Sequence, residues 1–308
     1  MRLWAIGLLL LAACDRAADH PTDAKPTEIT YDGGDYTTAA AKIAHGERLN
    51  RIFGCAACHG EDYSGVNFGA MIPIVEGLWA PNISLAMPNM SDAQLEKVLR
   101  AGVSPSRGEI YIMPSKQTQF LTKPDMAALI AYLRTIPAKG KPTPLPPADF
   151  EHKMVSRLPD DYWRWQLPGQ KRDYHNAAEE VAYFAANQPP KLGASAELGR
   201  GRYIAITVCS GCHGAALDGK GEDAGGINAA SLYNDAEFDR LLTSSISRDG
   251  RMLKMSWGFG HEVIPIMKSE KSAVIAYARA VARQRAEQSG RHLERSATLF
   301  GTPSDQSQ

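Results

Sequence analysis

The sequence lacks an apolar run long enough for a membrane-spanning helix and a charge excess suited to nucleic acid. Its longest apolar run, residues 3–13, falls far short of the roughly 20 residues that a spanning helix requires. Neither sign of charge prevails: 34 basic side chains stand against 34 acidic ones in 308 residues. The two signs are mixed along the chain, so no electrostatic footprint for nucleic acid and no block of like charge stands out. No stretch alternates apolar and polar residues with a period of two, which argues against half-buried strands. Cysteine is scarce, at five residues, and four of the five fall into two copies of one pattern.

What is present begins at the N-terminus. Arg2, the apolar run and then Cys14 have the length of a secretory signal. Leu11-Ala12-Ala13-Cys14 resembles a bacterial lipoprotein box, whose cysteine receives lipid and becomes the new N-terminus. The resemblance implies a signal peptide over residues 1–13 and an acylated Cys14 that anchors the protein to the periplasmic face of the cell membrane. Asp15 resembles the residue that keeps such lipoproteins at the inner membrane of Gram-negative bacteria. Residues 14–38 are polar and acidic and carry Pro21, Pro26, Gly33 and Gly34, so they read as a flexible tether about 25 Å in reach.

The rest contains an internal repeat. LNRIFGCAACHGEDYSG (49–65) parallels YIAITVCSGCHGAALDG (203–219), and MSDAQLEKVL (90–99) parallels YNDAEFDRLL (233–242). GEIYIM (108–113) parallels GRMLKM (250–255), and IAYLR (130–134) parallels IAYAR (275–279), always in the same order. Two homologous domains are expected, over 39–137 and 193–285. In each, a helix leads into CxxCH and a Gly-rich irregular stretch follows. Then come a short helix with an Asp near its start (Asp92, Asp235), a loop at Gly108 or Gly250, and a closing amphipathic helix. Between the copies, residues 138–192 open on PAKGKPTPLPP (137–147), whose prolines make a stiff extended linker. They continue through Tyr162, Trp163 and Trp165 to the helix-like NAAEEVAYFAANQ, a packing segment. Residues 286–308 turn polar and read as a disordered tail.

Cys55, Cys58 and His59 recur as Cys209, Cys212 and His213. Three chemistries use such a cluster. A thioredoxin-like redox site sits beside a βαβ pattern, which neither copy has. A structural zinc site needs four ligands, and each CxxCH supplies three, with only Met-bearing apolar loops downstream. Covalent haem c has C-x-x-C-H as its attachment signature. On a helix, positions i, i+3 and i+4 share a face, so both sulfurs reach the two vinyl groups along one porphyrin edge while the imidazole faces the iron. Two haems c are expected, one on Cys55 and Cys58, the other on Cys209 and Cys212.

With CxxCHG, a Met loop and the IAYLR or IAYAR closing helix, each copy resembles the class I cytochrome c family. The pair resembles periplasmic dihaem cytochromes c, including the cytochrome subunits of membrane-linked alcohol dehydrogenases. The resemblance implies an all-α fold of two tandem cytochrome c-like domains, the first and last helices of each crossing beside a haem crevice. It also implies His59 and His213 as proximal ligands and a Met sulfur on the far side of each iron. The repeat nominates Met113 and Met255, each five residues after a glycine; Pro114 follows Met113, whereas Ser256 and Trp257 follow Met255. Met252, Met267 and His261 compete with Met255, and His45 with Met113. Met71, Met87, Met90 and Met126 read as core filler. Gly60 and Gly214 let the backbone pass close to the porphyrin. Trp79, in GLWAPNIS, is a propionate donor or a core residue, and Tyr132 and Tyr277 seal the helix crossing.

With His and Met on both irons, neither metal has an open position, and the expected work is one-electron transfer. The expected partners are a periplasmic dehydrogenase or respiratory complex on one side and a terminal oxidase or soluble cytochrome on the other, with no nucleic acid. The alternative is a dihaem enzyme of the peroxidase or thiosulfate dehydrogenase type, with one open or non-Met haem.

Overall fold

The computed structural model describes residues 28–157, 176–193, 195–219, 224–254 and 260–300. Helices dominate: α1 Ala39–Ile52, α2 Cys55–His59, α3 Phe68–Met71, α4 Ile83–Ala86, α5 Asp92–Ala101, α6 Ser115–Thr118 and α7 Lys123–Leu133 come first. α8 Phe150–Val155, α9 Ala177–Ala186, α10 Ala196–Ile204, α11 Ser210–His213, α12 Asp235–Ser244 and α13 Lys268–Phe300 follow. Strands among the described residues are two-residue pairs, Val66–Asn67 with Trp79–Ala80 and Val103–Ser104 with Gly108–Glu109. Helix starts are fixed by side-chain oxygens. Thr38 accepts from the Ala41 N–H at 3.1 Å, and Ser91–Gln94, Asn176–Glu179 and Asn234–Glu237 form reciprocal capping boxes at α5, α9 and α12.

α1 crosses α7, and α10 crosses α13. Each crossing depends on one glycine in the leading helix. A Cβ on Gly46 would lie 1.9 Å from the Ala128 carbonyl oxygen, and one on Gly201 would lie 2.0 Å from that of Ala273. Tyr132 and Tyr277 cover the same two glycines, as the sequence predicts. The repeat extends to the backbone: Tyr63 and Leu217 both take left-handed φ, at 60° and 58°, and Gly60 and Gly214 have positive φ at 85° and 83°.

The two halves share one hydrophobic core, and the stretch before α1 lies in the seam between them. Tyr31 is 1 % exposed; its ring packs 5.3 Å from that of Tyr203, and its hydroxyl bonds Thr207. Two buried acids hold the seam. Asp125 of α7 takes His45 at 2.6 Å from α1 of its own half, the Tyr203 hydroxyl at 2.6 Å from α10 of the other, and the Tyr31 N–H at 3.1 Å. Glu270 of α13 mirrors this arrangement, with Arg200 of its own α10 at 3.8 Å, Arg48 from α1 of the other half, and the Asp32 N–H at 2.9 Å.

Three expectations change here. Residues 28–38 are not part of a flexible tether, because Tyr31 and Asp32 are bonded to both halves. The Pro-rich stretch is strapped along the first half rather than spanning free space: Asn82 Nδ2 donates to the carbonyls of Lys139 and Lys141 at 2.7 and 3.0 Å, and Arg107 donates to the Thr143 carbonyl at 3.0 Å. The chain also stays helical beyond residue 285, up to Phe300, through a run of Ala, Glu, Gln and Arg that favours helix. α8 packs Phe150 and Met154 against Phe68, Val75 and Leu78, and α9 joins α6 through Glu180 and Lys116 at 2.7 Å. Tyr162, Trp163 and Trp165 of the expected packing segment lie outside the described residues.

Candidate functional site

The helix α1 stops at Phe53, and Gly54, in the left-handed conformation at φ 63°, redirects the chain into α2. α2 then displays Cys55, Cys58 and His59 on one face, as their spacing requires. They form one wall of an apolar cleft of about 360 Å³. Leu95, Val98, Leu129 and Leu133 line its floor, and Met113 comes in from the loop after α5. The cleft therefore unites all four residues that the sequence nominates for the first haem. His45 lies elsewhere, buried on Asp125.

The chemistry of the wall suits a covalent porphyrin. Neither cysteine is in a disulfide, and burial pushes the Cys55 thiol up to about 12, opposite in direction to the depressed thiol of a thioredoxin-like site. Among the described residues, no group of three or more His, Cys, Asp or Glu side chains is arranged to hold a metal ion. His59 is oriented by its neighbour: a carbonyl only accepts, so the 2.9 Å contact with the Pro81 oxygen fixes the proton on Nδ1 and leaves the Nε2 lone pair available to a metal. Burial lowers the pKa of His59, which keeps the imidazole neutral as a metal requires.

The second half places Cys209, Cys212 and His213 comparably. Here Val208 replaces Gly54, and a β-branched residue takes the left-handed turn only at a steric cost. The chain instead passes from α10 through a π-helical turn, Ala205–Cys209, straight into α11. His213 donates Nδ1–H to the Gly225 carbonyl, matching His59 and Pro81. Burial pushes Cys209 to about 12 and lowers His213. Met255 and Cys14 lie outside the described residues.

Other nominees fall differently. Met87 and Met126 are buried, as core filler should be, and Met90 is half-buried. Met71 is 60 % exposed: it ends the single turn α3, whose inward side is taken by Phe68. Met252 and Met267 are exposed as well. Trp79 lines the first cleft from the strand at 79–80. Sequence reading missed Arg107. It reaches the cleft from the turn between the strands 103–104 and 108–109, and burial lowers its pKa from the usual guanidinium value. The signal was present only as a cation beside the nominated Met loop.

Residues 43–137 match the family model described as Cytochrome c, and no curated protein matches the chain. With the apolar cleft, the CxxCH wall and the oriented histidine, this stretch is a cytochrome c domain. Such a domain carries covalently bound haem c and serves electron transfer.

Proposed function

We propose that the chain is a dihaem cytochrome c, a carrier of single electrons between a dehydrogenase or quinol-oxidising complex and a terminal acceptor. Cys55 and Cys58 hold the first haem between His59 and Met113, and Cys209 and Cys212 hold the second with His213 as its proximal ligand. Bound haem supplies one-electron chemistry at its iron. The protein's residues attach it, fix the imidazole tautomer, exclude water with an apolar floor and close the first metal with a thioether that favours the ferrous state.

The observation that carries the second haem is the matching proximal histidine, bonded through Nδ1 to a carbonyl just as in the first half. The glycine-governed helix crossing and the left-handed residues after CxxCH support the same reading. The lipoprotein-type N-terminus supports a periplasmic carrier anchored through Cys14, where its redox partners would meet it.

Acid denaturation followed by mass spectrometry tests this. The intact chain should retain the mass of two porphyrins, and Cys209→Ser with Cys212→Ser should retain one. A wild-type chain with a single porphyrin refutes the dihaem reading. With both irons closed, carbon monoxide and peroxide should leave the spectrum of the native protein unchanged.

A further inference from the structure

The rings of His213 and His261 lie near parallel, with centroids 6.1 Å apart and planes 24° from one another. No hydrogen bond joins rings at that distance. It matches the spacing of two imidazoles on opposite sides of one metal: a bond of about 2 Å and about 1 Å from nitrogen to ring centre, on each side, add up to about 6 Å. His213 is already oriented by the Gly225 carbonyl, and Nδ1 of His261 is buried with no hydrogen-bond partner. A buried ring nitrogen in that state lacks the partner such groups normally have.

The turn that carries His261 is pinned. His261–Val263 forms a single 3₁₀ turn, and the Glu262 N–H donates at 3.2 Å to the hydroxyl of Ser245, the buried left-handed residue that ends α12. The ring is thus held from the helix end that packs behind it, as an axial ligand must be.

The repeat argues against the methionine at this position. Val103 pairs with Glu109 in the first half and Ile246 with Met252 in the second, which sets the register of the two hairpins. Counted forward from that register, Met113 corresponds to Ser256. Counted back from the buried acids Asp125 and Glu270, it corresponds to Gly258. Neither count reaches Met255, which falls at the position of Ile112 by the first, 46 % exposed and with φ 66°, and at that of Ile110 by the second. Between those same references the second half is two residues longer, 252–270 against 109–125.

We infer that His261 is the distal ligand of the second haem, so that the chain carries one His/Met iron and one bis-His iron. The inference rests on the proposed haem at Cys209 and Cys212. Thioether ligation favours ferrous iron, and a second imidazole lacks that preference, so the second haem takes the lower potential and electrons run from it to the first.

The test is the ferric spectrum of the full-length haem-loaded protein, scaled to haem content by denaturing mass. The expected result is two porphyrins per chain and a near-infrared methionine–iron band equal to one haem. Met113→Ala should abolish that band and Met255→Leu should leave it untouched. His261→Ala should turn the second haem high-spin and open to carbon monoxide. A band equal to two haems, halved by Met255→Leu, overturns the inference and leaves the dihaem reading intact. A chain with one porphyrin overturns both, and the mass alone identifies that case.

Discussion

At positions 46 and 201, the absence of a single carbon lets two helices touch. The nearest atom to an added Cβ is in each case a backbone oxygen, which no rotamer change can move aside. Gly46→Ala and Gly201→Ala should each cost about 2–3 kcal/mol, seen as a lowered urea midpoint, and a loss below about 1 kcal/mol would contradict the crossing. Arg107 offers a second residue-level prediction. It puts a positive charge in the first cleft, which opposes the ferric state. Arg107→Gln should lower the potential of the first haem on the order of tens of millivolts and leave the second unchanged in a spectroelectrochemical titration. Cysteine and histidine were legible in the sequence because their chemistry demands a fixed local spacing. Arg107 and Tyr31 were not, because their partners Thr143, Tyr203 and Thr207 are remote along the chain.

Among the elements, the two helical approaches to CxxCH diverge at one position. Gly54 takes the left-handed φ that breaks the helix; Val208 does not, and the chain passes through a π turn whose carbonyls need donors. Gln117 of α6 supplies them from the other half, donating to the carbonyls of Val208 at 2.8 Å and Thr207 at 3.3 Å. Helical periodicity foretold α7 and the start of α13, and Asp92 and Asp235 marked where α5 and α12 begin. The strapped linker was not legible, because five prolines in eleven residues state stiffness but not what the segment lies on. Asn82 is the residue that answers this, through two donated bonds. Asn82→Ala should free the strap and speed tryptic cleavage after Lys139 on the order of tenfold, without loss of the porphyrin on Cys55 and Cys58.

For the whole molecule, the decisive feature is the pair of buried acids at the seam, each bonded to both halves. Glu270→Ala would leave Arg48 and Arg200 without their shared carboxylate, at a cost of about 3–5 kcal/mol, and should split one calorimetric transition into two. Acid should act at the same place. Burial raises the Asp32 carboxyl, but the Ser269 hydroxyl and Arg200 outweigh it and hold the group below the usual carboxylate range. A depressed carboxyl stabilises the fold above its unfolded value near 4 and loses that contribution as pH falls through the folded value. The unfolding midpoint should therefore drop on acidification below about pH 4, with a shallower drop in Asp32→Asn. The burial of Tyr31 also constrains the order of assembly. A chain made from its N-terminus outward presents Tyr31 long before Tyr203 and Thr207 exist, so the first half must wait with Asp125 incompletely partnered until α10 arrives. The residues synthesised earliest are among the last to find their place.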